Sequence, residues 1–208
     1  MSDSLKPRIK RGSGPSGKLR PHNLRTRALP HLLEDFEHRC AYSMRHVEIA
    51  GGVRQMEIDH FDPTLRSEAR DSYSNLMLAT RHCNNMKKDG WPVAHQIAAD
   101  SRLLNPTKEP DYGCHLFEDP KTHELIGVTP AGRYHIDILD LNHDTFVWER
   151  RKRAVYLKLR GESPVTFLGP LDKLHQLLQM LQEQFELFIP YIPPPPAPTN
   201  SPQTPSAV

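Results

Sequence analysis

The chain has 208 residues, a hydrophobic fraction of 37%, a charged fraction of 25% and a formal net charge of +2. That is long enough for one good core with additions, and too near neutral for a molecule that holds nucleic acid by overall charge. No stretch reaches the roughly 20 apolar residues that cross a bilayer, and the N-terminus lacks the apolar centre of a signal peptide. Cys40, Cys83 and Cys114 form an odd set without a disulfide framework, so a reducing, cytoplasmic setting is expected.

Residues 1–27 carry eight Lys or Arg against one Asp and are rich in Gly, Pro and Ser. They read as a basic flexible arm, either a phosphate-holding segment or a solvated tail. From Leu29 the pattern changes: Leu29, Leu32, Leu33 and Phe36 fall at helical spacing and predict a short amphipathic helix to about Arg39. Gly51-Gly52 separates "RHVEIA" from "VRQMEIDHF" and predicts a β-hairpin. "TLRSEARDS" reads as a loop, and "NLMLATRHCNNMKKDG" as an apolar patch followed by a short helix ended by Gly90. Residues 45–90 therefore run strand, strand, loop, helix.

Further along, "PVAHQIAADSRLLNP" predicts a helix ending before Pro106, and "GCHLFEDPKTHELIGVTP" a hairpin turning at Asp119-Pro120-Lys121. "NHDTFVWERRKRAVYLKLR" predicts a helix capped by Asn142. Its basic run at 150–153 is either a solvated face or a nucleic-acid contact. A last helix is predicted over 170–188, where Leu171, Leu174, Leu177, Leu178, Leu181, Phe185 and Phe188 form one apolar stripe for a core or for a partner. The proline-rich end must be extended or disordered. The division is 1–27 arm, 28–100 core, 101–189 hairpin and helical extension, and 190–208 tail, with an overall α+β class and a mostly helical C-terminal part.

The chemistry concentrates between "MEIDHFDP" and Lys88. Asp59-His60 alone reads most simply as a strand end running into a turn. Asn75 then opens "NLML", and Asn84 stands within Cys83-Asn84-Asn85-Met86-Lys87. This order, "DH…P", "N-L-x-L", "C-N-x-x-K", resembles the HNH endonuclease signature, whose ββα-metal fold sets two strands and a helix around a divalent cation. The residue types suit phosphodiester hydrolysis. An imidazole titrates near neutrality and can take a proton from water, while Asp and Asn offer the oxygens that Mg²⁺ or Mn²⁺ prefers.

The resemblance implies that Asp59 and Asn84 bind the metal, that His60 is the general base, and that Asn75 braces the loop through the His60 backbone. Asn85 is the competing position for Asn84. Arg81, Lys87 and Lys88 would contact phosphate or form a solvated helix face. Many HNH proteins carry two C-x-x-C pairs binding structural Zn²⁺; here two of the four places are Ser43 and Thr80, so structural Zn²⁺ is not expected there, although His46 or His82 could substitute. Cys40 and Cys83 are then small buried residues.

The elements L-N-P, H-L-F, G-V-T-P-A-G and L-D-L-N after the motif are similar to the segment downstream of HNH in the nuclease of Septu-type anti-phage systems. That similarity implies a defence effector acting on DNA with an ATPase partner, and cutting both strands would suit a homodimer. The alternatives are a catalytically silent HNH-like module that binds nucleic acid or a partner, and an RNase using the same site.

Overall fold

The computed structural model describes residue 9 and residues 11–88, 90–108, 114–162, 187–190 and 192. Among them, no helix is long and apolar enough to cross a membrane.

A 3₁₀ turn over Pro21–Asn23 leads into α1 (Leu24–Arg27) and α2 (Leu29–Asp35). Leu29, Leu32 and Phe36 are buried, as their spacing predicts. The helix stops four residues earlier than expected because Glu37 and His38 both take positive φ. The His38 N–H then reaches back to the Leu33 carbonyl at 2.7 Å, a helix-ending turn that uses up an otherwise open acceptor. Residues 11–27, within the expected arm, pack against this part of the fold. Arg11 Nη2 donates to the carbonyls of Tyr73 and Leu76 at 2.7 and 2.6 Å, and its guanidinium lies over the Phe36 and Tyr73 rings. Leu19 is buried.

The predicted hairpin across Gly51-Gly52 does not form. Arg39 and His46 make an isolated antiparallel bridge, and both glycines turn the chain at φ of 97° and 89°. A 3₁₀ turn over Val53–Gln55 precedes β1 (Met56–His60). Its partner is β2 (Leu76–Thr80), antiparallel, with Met56 opposite Thr80 and His60 opposite Leu76. The "apolar patch" is thus the second strand. Leu76, Met77, Leu78 and Ala79 are fully buried, and a short run buried on both faces carries no alternation to distinguish strand from helix. The connection between the strands holds α3 (Ser67–Arg70), and α4 (Arg81–Lys87) continues directly from β2. Thr80 caps α4 by accepting from Cys83 N–H at 3.4 Å.

In the extension, α5 (Ala94–Ala98) is shorter than predicted, and Leu103 and Leu104 run on as buried irregular chain. The second hairpin forms as expected from β3 (Leu116–Glu118) and β4 (Leu125–Gly127), with Asp119 Oδ1 accepting from the N–H groups of Lys121 and Thr122. The G-V-T-P-A-G segment then builds α6 (Pro130–Ile138). Thr129 caps it by accepting from Gly132 N–H at 3.0 Å, and Pro130 takes the first turn. Gly132 is required by contact: a Cβ there would lie 1.9 Å from the His115 carbonyl oxygen.

Asn142, expected to cap α7 (Asp144–Glu162), instead brackets Leu125, accepting from its N–H at 2.7 Å and donating to its carbonyl at 2.9 Å. His143 Nδ1 takes the capping role from Thr145 N–H. The last predicted helix lies almost wholly outside the described residues, as does the tail from 193. Ile189 and Ile192 are buried, and one hydrophobic cluster runs from Leu29 and Met56 through Leu104, Leu139 and Phe146 to them.

Candidate functional site

β1, the loop after it and α4 enclose a cleft of about 290 Å³ lined by Ile58, Asp59, His60, Pro63, Arg70, Asn84, Asn85, Lys87 and Lys88. Asp59 and His60, adjacent on β1, and Asn84, 24 residues further on, therefore face one space. The hairpin places the first two at the end of β1, and the immediate entry from β2 into α4 brings the third alongside.

Asp59 is buried and heavily engaged. Lys87 Nζ donates to both carboxylate oxygens at 2.9 and 2.8 Å and to the His60 carbonyl at 2.6 Å, and Tyr42 Oη donates to Oδ2. Burial pushes the Lys87 ammonium below its ordinary pKa, while the Asp59 carboxylate opposes that fall. Lys87, expected to be available to phosphate, is instead the counter-charge of Asp59.

His60 Nε2 lies 2.9 Å from Asp71 Oδ1. An ionised carboxylate only accepts, so this contact places a ring proton on Nε2, and in the neutral tautomer Nδ1 carries the lone pair. Asn75 secures this pair from behind the cleft: its Oδ1 accepts from Asp62 N–H at 2.9 Å, and its Nδ2 donates to the carbonyls of Asp62 and Arg70. One side chain thus ties the exit from His60 to the residue just before Asp71. Bracing was the expected role of Asn75, though it acts on Asp62 and Arg70 rather than on the His60 backbone.

Asn84 Nδ2 donates to Glu57 Oε2 at 2.5 Å, and Arg81 Nε donates to Glu57 Oε1 at 3.1 Å. With its amide nitrogen oriented toward Glu57, Asn84 keeps Oδ1 as an oxygen donor. Asn85 lines the same cleft, and Lys88 is exposed at its rim. Arg81 lies outside the lining and is largely solvated.

The Asp59 carboxylate and Asn84 Oδ1 are oxygen donors of the kind a hard divalent cation takes, and both Asp59 oxygens already accept from Lys87. Such a cation would share Asp59 with Lys87, whose ammonium already balances that carboxylate. At the places of the missing zinc thiolates, Cys40 Sγ accepts from the N–H groups of Ser43 and Thr80 at 3.5 and 3.3 Å. Burial pushes the Cys83 thiol well up, with hydrogen bonding to Cys40 adding to the rise. A hydrogen-bonded, buried polar cluster occupies that corner.

Asp71, Tyr42 and Glu57 were not singled out by sequence reasoning. Asp71 lies in a segment read as a loop and Tyr42 between the predicted helix and hairpin, and only pairing of β1 with β2 brings the loop back over His60. Glu57 was legible in part, since alternation puts it on the Asp59 face of β1. No curated protein and no solved structure matches the chain. A family model does: residues 38–90, the span holding the hairpin, its loop and α4, match the HNH endonuclease family.

Proposed function

We propose that the cleft hydrolyses DNA phosphodiester bonds as an HNH endonuclease. The observation that carries this reading is the His60–Asp71 pair at 2.9 Å, opening on the same cleft as Asp59 and Asn84. Asp71 fixes the tautomer and orientation of the ring, so Nδ1 can accept a proton from a water in line with the scissile phosphate. Asn75 keeps the two partners in register. Asp59 and Asn84 would hold Mg²⁺ or Mn²⁺, which supplies charge neutralisation for the phosphate and the departing oxygen. Lys88, exposed at the rim, attracts the DNA backbone.

The similarity of the downstream segment to Septu-type nucleases supports a role as an anti-phage effector that works with an ATPase partner. Purified protein with Mg²⁺ or Mn²⁺ is expected to nick or linearise supercoiled plasmid. His60→Ala should lower the rate at least about a hundredfold, and unchanged cleavage by that variant removes the assignment. Labelled RNA offered beside DNA separates a DNase from an RNase. One observation favours a silent binding module: Lys87 already neutralises Asp59 without a metal. DNA retention without cleavage under any divalent metal, with or without a partner, decides for that reading.

A further inference from the structure

On the opposite side of α4 from the cleft stands a second group of side chains with metal-ligand chemistry. His82 projects from the first turn of α4, while Asp140 and His143 belong to the turn between α6 and α7. Their ligand atoms all lie within 4.8 Å of one another. We infer that His82, Asp140 and His143 form a binding site for Zn²⁺, with water as the fourth ligand, that joins α4 to the helical extension.

The closest pair has the spacing such an ion needs. His82 Nε2 is 3.2 Å from Asp140 Oδ2, yet this buried nitrogen makes no hydrogen bond. Two ligands at about 2.0–2.1 Å from a tetrahedral ion stand roughly 3.3 Å apart. Nitrogen and oxygen at that separation, without a hydrogen bond between them, suit a shared ion better than a direct contact. The rings of His82 and His143 meet edge-on with centroids 4.9 Å apart, and Phe146 packs on His82 at 5.1 Å. That aromatic wall restricts water on one side and holds the His82 ring in place.

The turn is constrained as well. Asp140 adopts φ of +49°, and the His143 N–H donates to the Asp140 carbonyl at 3.1 Å. His143 is exposed, and its Nδ1 accepts from Thr145 N–H at 3.2 Å. Two imidazoles and a carboxylate select a borderline transition-metal dication over Mg²⁺, which prefers an all-oxygen shell. The site differs from the cysteine corner, since none of its donors is Cys40 or Cys83. It stands independently of the nuclease reading, because its test measures binding and not cleavage.

The test is zinc binding by the metal-stripped full chain against a competing chelator, with Co²⁺ substitution to read coordination by visible absorption. One equivalent is expected, tighter than about 1 μM, with the intense bands of four-coordinate Co²⁺. His143→Ala and Asp140→Asn should each weaken it at least about tenfold. His143 is exposed and Asn tolerates the left-handed φ of position 140, so both variants keep the fold. Asn84→Ala, in the cleft, should leave this equivalent in place. Absence of zinc binding by the wild type overturns the proposal, as does wild-type affinity in the two ligand variants.

Discussion

The chain places basic side chains on two helices, and it uses them differently. On α4, Lys87 is buried against Asp59, but Lys88, the residue just past the helix end, is exposed at the rim of the cleft. On α7, the run at 150–153 is divided: Arg150 and Arg153 are buried, while Arg151 and Lys152 are exposed. Arg150 donates to the carbonyls of His123 and Leu141, and Arg153 to that of Ile189 and to Glu118, whose side chain is fully buried. Burial pushes the Arg150 guanidinium down to about 10 even with acidic groups nearby. Lys152 lies over the Trp148 ring at 3.8 Å. A basic run in sequence therefore does not distinguish a phosphate-binding face from arginines that fasten a helix to a hairpin. What decides is whether carbonyls and carboxylates surround the charges.

The largest effect should come from cutting the α7 network. Arg153→Met leaves Glu118 buried with the His123 ring as a neighbouring hydrogen-bond partner, and is expected to cost about 3–5 kcal/mol. Urea unfolding measures it; a loss below about 1 kcal/mol would mean the network is not held as described. Divalent metal should return none of that stability. Lys87→Met is the counterpart in the cleft, with a loss of about 3 kcal/mol expected because Asp59 keeps, among the described residues, Tyr42 as its side-chain donor. Here Mg²⁺ or Mn²⁺ should restore part of the stability, since a cation can take the place of the ammonium beside Asp59. If metal rescues both variants equally, or neither, the contrast between the two helices fails.

A third test concerns the seam between the two regions. His135 on α6 is fully buried, accepts from Leu104 N–H at 3.2 Å and stacks edge-on to Tyr42. Burial, helped by the charge on His115, lowers its pKa from 6.5 to about 3. The folded state thus binds fewer protons than the unfolded one between those values. Stability from the neutral ring is complete above pH 6.5 and is lost as pH falls towards 3, at on the order of 1.4 kcal/mol per unit. His135→Gln should flatten that acid limb in urea midpoints measured across the window. An unchanged slope would move the acid sensitivity to other groups.

The candidate site was more legible than the fold around it. Asp59, His60, Asn75 and Asn84 stand out because their order and spacing resemble the HNH signature, which local pattern alone would not have given. Pairing was not legible: "NLMLA" is apolar at nearly every step, so periodicity could not show that it holds the strand opposite "MEIDH". The glycine pair at 51–52 looked like hairpin punctuation, but glycine specifies a turn and not the partners on either side. Asp71 and Tyr42 stayed hidden for the same reason. Their roles depend on tertiary pairing that no local pattern records.

The smallest expected effect sharpens the comparison most directly. Lys88, just past the end of α4, and Lys152 on α7 are both exposed lysines, so Lys88→Ala and Lys152→Ala should each change stability by no more than about 0.5 kcal/mol. Their effects on DNA binding should diverge. If Lys88 meets a phosphate, its loss removes one released counterion and lowers the slope of log affinity against log salt by about one. Lys152, over Trp148 and on the far helix, should leave that slope unchanged. Measuring both slopes by fluorescence anisotropy with a short duplex separates position from charge, because the two variants remove the same charge. Equal slopes for both would mean that DNA feels only the total charge of the molecule. A change confined to Lys152 would move the DNA-binding face to α7.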